Sequence, residues 1–139
     1  MFVTMIQALA MMYPALAASP AEKVTTTYHF GERTVRFIRH EQEGLLVSES
    51  CRGRSSALAC LAIDATKKVT LRNTRDQLNG GVNPGALVCT TQAAGTVVLG
   101  VDEKDNEQTF CLFSDGSLIS NDSLGYHARK NYYATPATR

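Results

Sequence analysis

The chain has 139 residues, about the size of one domain; 44% of them are hydrophobic and 19% are charged. This composition excludes a fully disordered chain and a large multidomain protein. The 14 basic and 13 acidic side chains leave a net charge of +1, so the overall charge does not favour binding to nucleic acid.

The N-terminal segment has the features of an export signal. Residues 1–18 carry no charged side chain, and Ala15-Leu16-Ala17 has the small residues at alternate positions that signal peptidase accepts. We therefore expect a signal peptide over residues 1–18 and an exported protein, periplasmic or extracellular. A buried N-terminal helix is the alternative. We expect no transmembrane segment, because the apolar run is shorter than the roughly 20 residues that a bilayer requires.

The four cysteines are most simply explained as two disulfides. Cys51, Cys60, Cys89 and Cys111 are separated by 9, 29 and 22 residues, and no C-x-x-C pair is present. This spacing argues against a zinc site, so we expect neither a metal nor a cofactor. Export favours disulfides, for which three connectivities are possible, and we favour Cys51–Cys60 with Cys89–Cys111. A catalytic thiol is the alternative.

Residues 19–79 are predicted to form a β-rich N-terminal half. Enrichment in β-branched and aromatic residues predicts strands at Val24–Phe30, Thr34–His40 and Leu45–Ser50, and a fourth short strand at Lys68–Arg72. Between the third and fourth strands, Ser56 is suited to cap a short helix from Ala57 to Ala65.

Residues 80–131 are predicted to form a helix followed by a three-stranded meander. Asn83 is a good N-cap, Pro84 suits the first turn, and Gly95 suits the left-handed position after the last turn. Strands are expected at Thr96–Val101, Glu107–Phe113 and Ser117–Ser120, with a tight hairpin at Asp115-Gly116. Residues 132–139 are predicted to be a flexible tail. The predicted fold class is α+β, with small antiparallel sheets, one or two short helices packed on one face, and two disulfides.

The second half resembles a known family. Asn83-Pro84 with Cys89, followed by the run from Cys111 to Ser117, is similar to the N-P-x-x-x-x-C and C-x-F-P-D-G-S motifs of small bacterial secreted domains labelled hemolysin-like. The resemblance covers about Asn83–Asn131, a third of the chain. Ser114 replaces the motif's proline, Ile119 stands where a further cysteine is expected, and no tryptophan follows. The resemblance implies a fold and an exported compartment, and it implies no chemistry.

No catalytic set is expected from the residues. His29, His40 and His127 are scattered over strands and the C-terminal region, and His29 is expected to face solvent. Ser117, His127 and Asp115 can be drawn as a triad, but nothing in the sequence places the base against the hydroxyl. Asp115 is better explained by its turn with Gly116. The acidic loop Asp102–Asn106 lacks the spacing and the glycine of a calcium-binding EF-hand.

Local charge gives candidates for binding. Residues 22–75 carry a net charge of +4, residues 76–128 carry −6, and the last eleven residues carry +3. Arg52 and Arg54 lie inside the Cys51–Cys60 loop and are candidates for contacting an anionic partner. Asp115 and Gly116 at the hairpin are the other binding candidates. The alternative for the arginine loop is that it is simply solvated.

These features predict a monomeric, non-catalytic module that binds, inhibits or protects a protein or another component of the cell envelope. The alternative is a small exported hydrolase that uses His127 or His40. A structural envelope protein without a ligand is a third possibility. A cleft that converges on a histidine would favour the hydrolase, and a flat or convex surface would favour the binding module.

Overall fold

The computed structural model of the protein describes residues 25–55 and 57–134. The predicted signal peptide and the predicted helix cap Ser56 lie outside these residues. Within them the strands are β1 Thr25–Phe30, β2 Arg33–His40, β3 Leu45–Ser48, β4 Thr96–Asp102, β5 Glu107–Leu112 and β6 Leu118–Ser120. The α-helices are α1 Leu61–Lys68, α2 Pro84–Thr91 and α3 Asn121–Ala134, and short 3₁₀ turns lie at Glu41–Glu43, Glu49–Cys51 and Arg75–Gln77.

The six strands form a closed antiparallel barrel in the order β1-β2-β3-β6-β5-β4. Two meanders, β1–β3 and β4–β6, meet at two seams, where Tyr28 pairs with Asp102 and Val47 pairs with Ile119. The predicted fold, small sheets with helices packed on one face, is therefore wrong. Local patterns in the sequence predicted each described strand end to within two residues. The seams join segments that are far apart in sequence, and the periodicity of a segment does not encode such pairing.

Alternation along the strands divides the core into two layers. The inner cluster fills the barrel with Tyr28, Phe37, Leu46, Phe110 and Leu118. The outer cluster lies between the barrel and the helices, and includes Val47, Cys111, Ile119, Val88 and Leu124. Aromatic rings pack closely in the inner cluster, with the Phe37 and Phe110 centroids 4.6 Å apart. Because side chains occupy the lumen of this small barrel, a ligand site is expected on its outer surface.

Helix α1 begins at Leu61, four residues after the predicted start. The residues before it are held in the disulfide loop, where the Ala59 N–H donates to the Cys51 carbonyl at 2.8 Å. The first helical N–H groups are then capped from the β5–β6 hairpin. Asp115 Oδ2 accepts from the Leu61 N–H at 2.9 Å, and Ser117 Oγ accepts from the Ala62 N–H at 3.1 Å.

The strand predicted at Lys68–Arg72 does not form. Helix α1 continues to Lys68, and Val69 is fully buried behind it. The side-chain amide of Gln92 bonds both the N–H and the carbonyl of Thr70, each at 2.8 Å. A side chain from beyond α2 therefore supplies the two backbone hydrogen bonds that a neighbouring strand would have made.

Both favoured disulfides, Cys51–Cys60 and Cys89–Cys111, are present. The predicted Asn83 cap is confirmed, since Asn83 Oδ1 accepts from the N–H groups of Gly85 and Ala86. The role predicted for Gly95 is wrong, because the left-handed residue after α2 is Ala94, with φ of 53°. A Cβ on Gly95 would instead overlap both sulfur atoms of Cys89–Cys111, so glycine is required there by packing.

Helix α3 was not predicted. It runs to Ala134, so the tail predicted from residue 132 begins inside the helix. Its first half packs against α2 at two glycines, and a Cβ on Gly85 would overlap the Asn121 carbonyl. Among the described residues, no helix is both long and apolar enough to cross a membrane.

Candidate functional site

A cleft of about 620 Å³ lies outside the barrel, where α1, α3, the 3₁₀ turn at Glu41–Glu43 and the Cys51–Cys60 loop meet. Four of its lining residues carry a basic or titratable nitrogen: His40, Lys67, His127 and Lys130. We call it the histidine–lysine cleft. Its volume falls in the range of about 300–1,000 Å³ that is typical of small-molecule sites.

His127 is held in the cleft by a backbone contact. Its Nε2–H donates to the Glu43 carbonyl at 3.0 Å, and its ring meets the Tyr126 ring edge to face at 5.2 Å between centroids. Since a carbonyl only accepts, Nε2 carries the proton and the neutral ring keeps its lone pair on Nδ1. Partial burial lowers the pKa of His127; the bond to the Glu43 carbonyl opposes this effect and Lys130 adds to it. The lowered pKa favours the neutral form of His127 at pH 7.

The remaining charges of the cleft are unbalanced. Lys67 and Lys130 are exposed, and Glu43 is the one carboxylate among the described lining residues. His40 stands at the end of β2, and its Nε2 is buried with no hydrogen-bond partner among the described residues. Among the described lining residues, the two ammonium groups and the one carboxylate leave one net positive charge.

The apolar part of the lining comes from the disulfide loop and the core. Ala57 and Leu58 belong to the loop, and Leu45 and Ile63 reach the cleft from the outer cluster. The arginine candidates Arg52 and Arg54 are exposed on the same loop but are not in the cleft lining. The loop thus contributes apolar rather than cationic side chains to the cleft.

The hairpin candidates Asp115 and Gly116 have structural roles. Asp115 accepts hydrogen bonds from the Leu61 N–H and from the N–H and hydroxyl of Ser117. Gly116 adopts the left-handed conformation, with φ of 82°. Slight burial raises the pKa of Asp115, but the donated hydrogen bonds outweigh this effect and hold the pKa below its usual range.

The triad that the sequence allowed is not assembled. Ser117 Oγ is hydrogen-bonded to Asp115 and to the Ala62 N–H, and no hydrogen bond links either residue to His127. Among the described lining residues, the hydroxyl group is that of Thr66, which donates to the Ile63 carbonyl at 2.7 Å. None of these groups is arranged as a nucleophile beside a base.

The other polar candidates lie away from the cleft. His29 is exposed on β1, as predicted, with Nδ1 at 3.1 Å from the Thr34 hydroxyl. The carboxylate of Asp102 is occupied within its own loop, where it accepts from the Lys104 and Asn106 N–H groups. Across the residues that the structure describes, no cluster of three or more histidine, cysteine or acidic side chains is suited to a metal ion.

The sequence indicates the cleft only in part. His40 and His127 are separate candidates there, and no pattern singles out Lys67 or Lys130. Recognition of α3 would have placed His127 and Lys130 on one helix face, because residues three apart are neighbours there. No local pattern links that face to α1 or to the end of β2.

No family model, curated protein or solved structure matches the chain. The resemblance to hemolysin-like secreted domains therefore stays a prediction, and the functional proposal rests on the histidine–lysine cleft.

Proposed function

We propose that the protein is a small exported, disulfide-stabilised binding module of the cell envelope, and that the histidine–lysine cleft receives an anionic ligand or partner. The carrying observation is that Lys67 and Lys130 face one cleft in which Glu43 is the only acidic side chain among the described lining residues. The two disulfides are compatible with export, and the resemblance to hemolysin-like secreted domains supports the same compartment.

A second candidate is a small hydrolase. A cleft that converges on histidines is the feature that favours it, and the neutral His127 has the protonation state of a general base. Two contacts favour binding instead. His127 donates to a backbone carbonyl rather than to a carboxylate that would stabilise the imidazolium, and Thr66 donates its hydroxyl proton to Ile63.

Charge reversal inside and outside the cleft tests the binding proposal. The cleft variant is Lys67→Glu with Lys130→Glu, and the matched control is Lys68→Glu with Lys104→Glu. All four lysines are exposed, and the control pair lies outside the cleft lining, so both variants change the net charge equally. We expect the wild type and the control to retain an envelope component from an extract, and the cleft variant to lose it.

The retained component must also be recovered chemically unchanged, as judged by mass spectrometry. Equal retention by all three proteins would show that the cleft is not the binding site. Recovery of a cleaved component would favour the hydrolase.

Histidine replacement separates the two candidates further. General acid–base catalysis contributes about 10²–10⁴-fold to a rate. We expect His40→Ala with His127→Ala to change any hydrolysis by the purified protein by less than a few-fold, with His29→Ala as the control outside the cleft. A loss of about 10²-fold or more, confined to the cleft variant, would establish the hydrolase instead.

A further inference from the structure

We infer that the ligand of the histidine–lysine cleft is a single-chain anionic amphiphile, an alkyl carboxylate or alkyl phosphate that binds as a monomer. This inference rests on the proposed binding function and names the ligand class of the same site. It is carried by two features of one cleft, unpaired cations and an apolar floor.

The two lysines have no ion-pair partner in the part of the chain that the structure describes. Within the described residues, neither Lys67 nor Lys130 forms an ion pair; the salt bridge found there joins Arg36 to Glu49. The carbonyls at the end of α1 do not need the lysines either, because Asn131 Nδ2 donates to those of Thr66 and Val69, each at 2.8 Å. Two ammonium groups with three donors each are thus available to an anionic headgroup.

The apolar floor of the cleft indicates that the ligand has an apolar part in addition to its charged headgroup. Leu45 and Ile63 belong to the outer core cluster, and Leu58 packs against it from the disulfide loop. A bare anion would occupy little of the 620 Å³ and would leave the half-buried Leu58, and the small exposed fractions of Leu45 and Ile63 (7% and 9%), in contact with water. An alkyl chain covers them while its headgroup stays between the lysines.

The shape favours a single molecule over a lipid surface. Leu45 and Ile63 are buried, with 7% and 9% of their surface exposed, whereas the two lysines are exposed, so the apolar floor lies deeper than the lysines at the rim. A flat bilayer would meet the rim lysines and leave the apolar floor uncovered. A monomeric amphiphile with one alkyl chain contacts both the lysines and the apolar floor.

A chain-length series provides the main test. The full exported protein is titrated with n-alkyl carboxylates from acetate to decanoate, each below its micelle concentration, and backbone amide shifts are followed by NMR. We expect saturable shifts centred on Leu58, Lys67 and His127. The Kd should fall about three- to fourfold for each buried methylene until the cleft is filled, and then level off. A Kd that does not change with chain length would overturn the inference.

The charge requirement is tested at constant chain length. Decyltrimethylammonium should bind at least about tenfold more weakly than decanoate. Lys67→Gln with Lys130→Gln should weaken decanoate binding about tenfold and keep the dependence on chain length, because the floor is intact. Lys68→Gln with Lys104→Gln should change nothing. Equal binding of the cationic amphiphile would contradict an anion site.

Leu58→Ser tests the floor, with circular dichroism to establish that the variant is folded. It should reduce the gain per methylene and leave acetate binding unchanged. If Leu58→Ser does not fold, Leu58→Ala serves the same purpose, with a smaller reduction. An unchanged gain in the folded variant would contradict the apolar floor.

Two further measurements complete the test. The first compares possible sources of the anionic headgroup, and the second distinguishes failure of this inference from failure of the proposed function. Decyl phosphate should bind like decanoate, and inorganic phosphate should bind as weakly as acetate. Binding to anionic vesicles without binding to either monomer would overturn the inference in favour of a lipid surface.

If no alkyl anion binds but retention from the extract still depends on Lys67 and Lys130, the amphiphile is wrong and the binding function stands. If both results are negative, both proposals fail.

Discussion

The β5–β6 hairpin and the histidine–lysine cleft both lie against helix α1, but they use their polar side chains differently. At the hairpin, Asp115 and Ser117 bond each other and the first N–H groups of α1. At the cleft, Lys67 and Lys130 have no ion-pair partner among the described residues. Polar groups that are satisfied internally hold this fold together, whereas the unpartnered ones are free to contact a ligand.

The two disulfides also differ in location, one beside the hairpin and one beside the cleft. Cys89–Cys111 is buried and holds α2 against β5 beside the hairpin, whereas Cys51–Cys60 closes the loop that borders the cleft. Both bonds restrict the unfolded chain, but the first closes a segment of 22 residues and the second one of 9. The hairpin side should therefore depend more on its disulfide.

The largest expected effect is the loss of the buried disulfide. Loop-closure entropy predicts that Cys89→Ala with Cys111→Ala lowers the free energy of unfolding by about 3.5 kcal/mol, against about 2.5 kcal/mol for Cys51→Ala with Cys60→Ala. Urea denaturation followed by circular dichroism measures both. A larger loss from the Cys51–Cys60 pair would show that the loop, rather than the hairpin side, carries the stability.

Removal of the cap on α1 should have the second-largest effect on stability. Asp115→Ala leaves the Leu61 N–H without its acceptor and should destabilise the protein by about 1 kcal/mol. The control is Asp76→Ala, an exposed carboxylate with no hydrogen bond in the structure, which should stay within about 0.5 kcal/mol. Equal effects of the two substitutions would show that the contact between hairpin and helix does not stabilise α1.

The effect of Asp115→Ala should also depend on pH. The folded-state pKa of Asp115 lies below its ordinary value of 3.8, so its contribution is fully present above the unfolded pKa and is lost as pH falls through the folded pKa. The stability difference between wild type and Asp115→Ala should thus be constant above about pH 5 and shrink below it. A difference that persists unchanged to the lowest pH at which both fold would contradict a charged cap.

His127 should produce a smaller pH effect on the cleft side. Its pKa is lowered in the fold, so the unfolded chain takes up a proton first as pH falls below the ordinary value of 6.5. The contribution of His127 to the free energy of unfolding is fully present above that value and is lost as pH falls through the folded pKa. His127→Gln should remove this part of the slope, and the exposed His29→Gln should leave it in place. Thermal melts between pH 5 and pH 8 decide the outcome.

The smallest effect is expected from the cleft lysines. Lys67→Gln with Lys130→Gln should change the free energy of unfolding by less than about 0.5 kcal/mol, since both side chains are exposed and form no ion pair with a described residue. The same variant should nevertheless lose ligand binding. A marked loss of stability, measured by urea denaturation, would mean that these lysines belong to the fold and not to a site.

Local patterns in the sequence predicted much of the secondary structure. The strands of both meanders, the Asp115-Gly116 turn and the Asn83 cap depend on residues close in the chain, and each appears in the structure. Two of the failures, both at α1, share a cause. The start of α1 is decided by the hairpin that caps it, and the segment expected as a strand at Lys68–Arg72 is bonded by Gln92.

The sequence by itself thus determined the meanders, the turns and the favoured pairing of the cysteines, because alternation, turn chemistry and cysteine spacing act over short distances. Only the tertiary structure decided that the meanders close into a barrel through the Tyr28–Asp102 and Val47–Ile119 seams. It also decided that His40, Lys67, His127 and Lys130 line one cleft. Such contacts bring together segments that the chain separates, and packing of the whole domain selects them rather than any local preference.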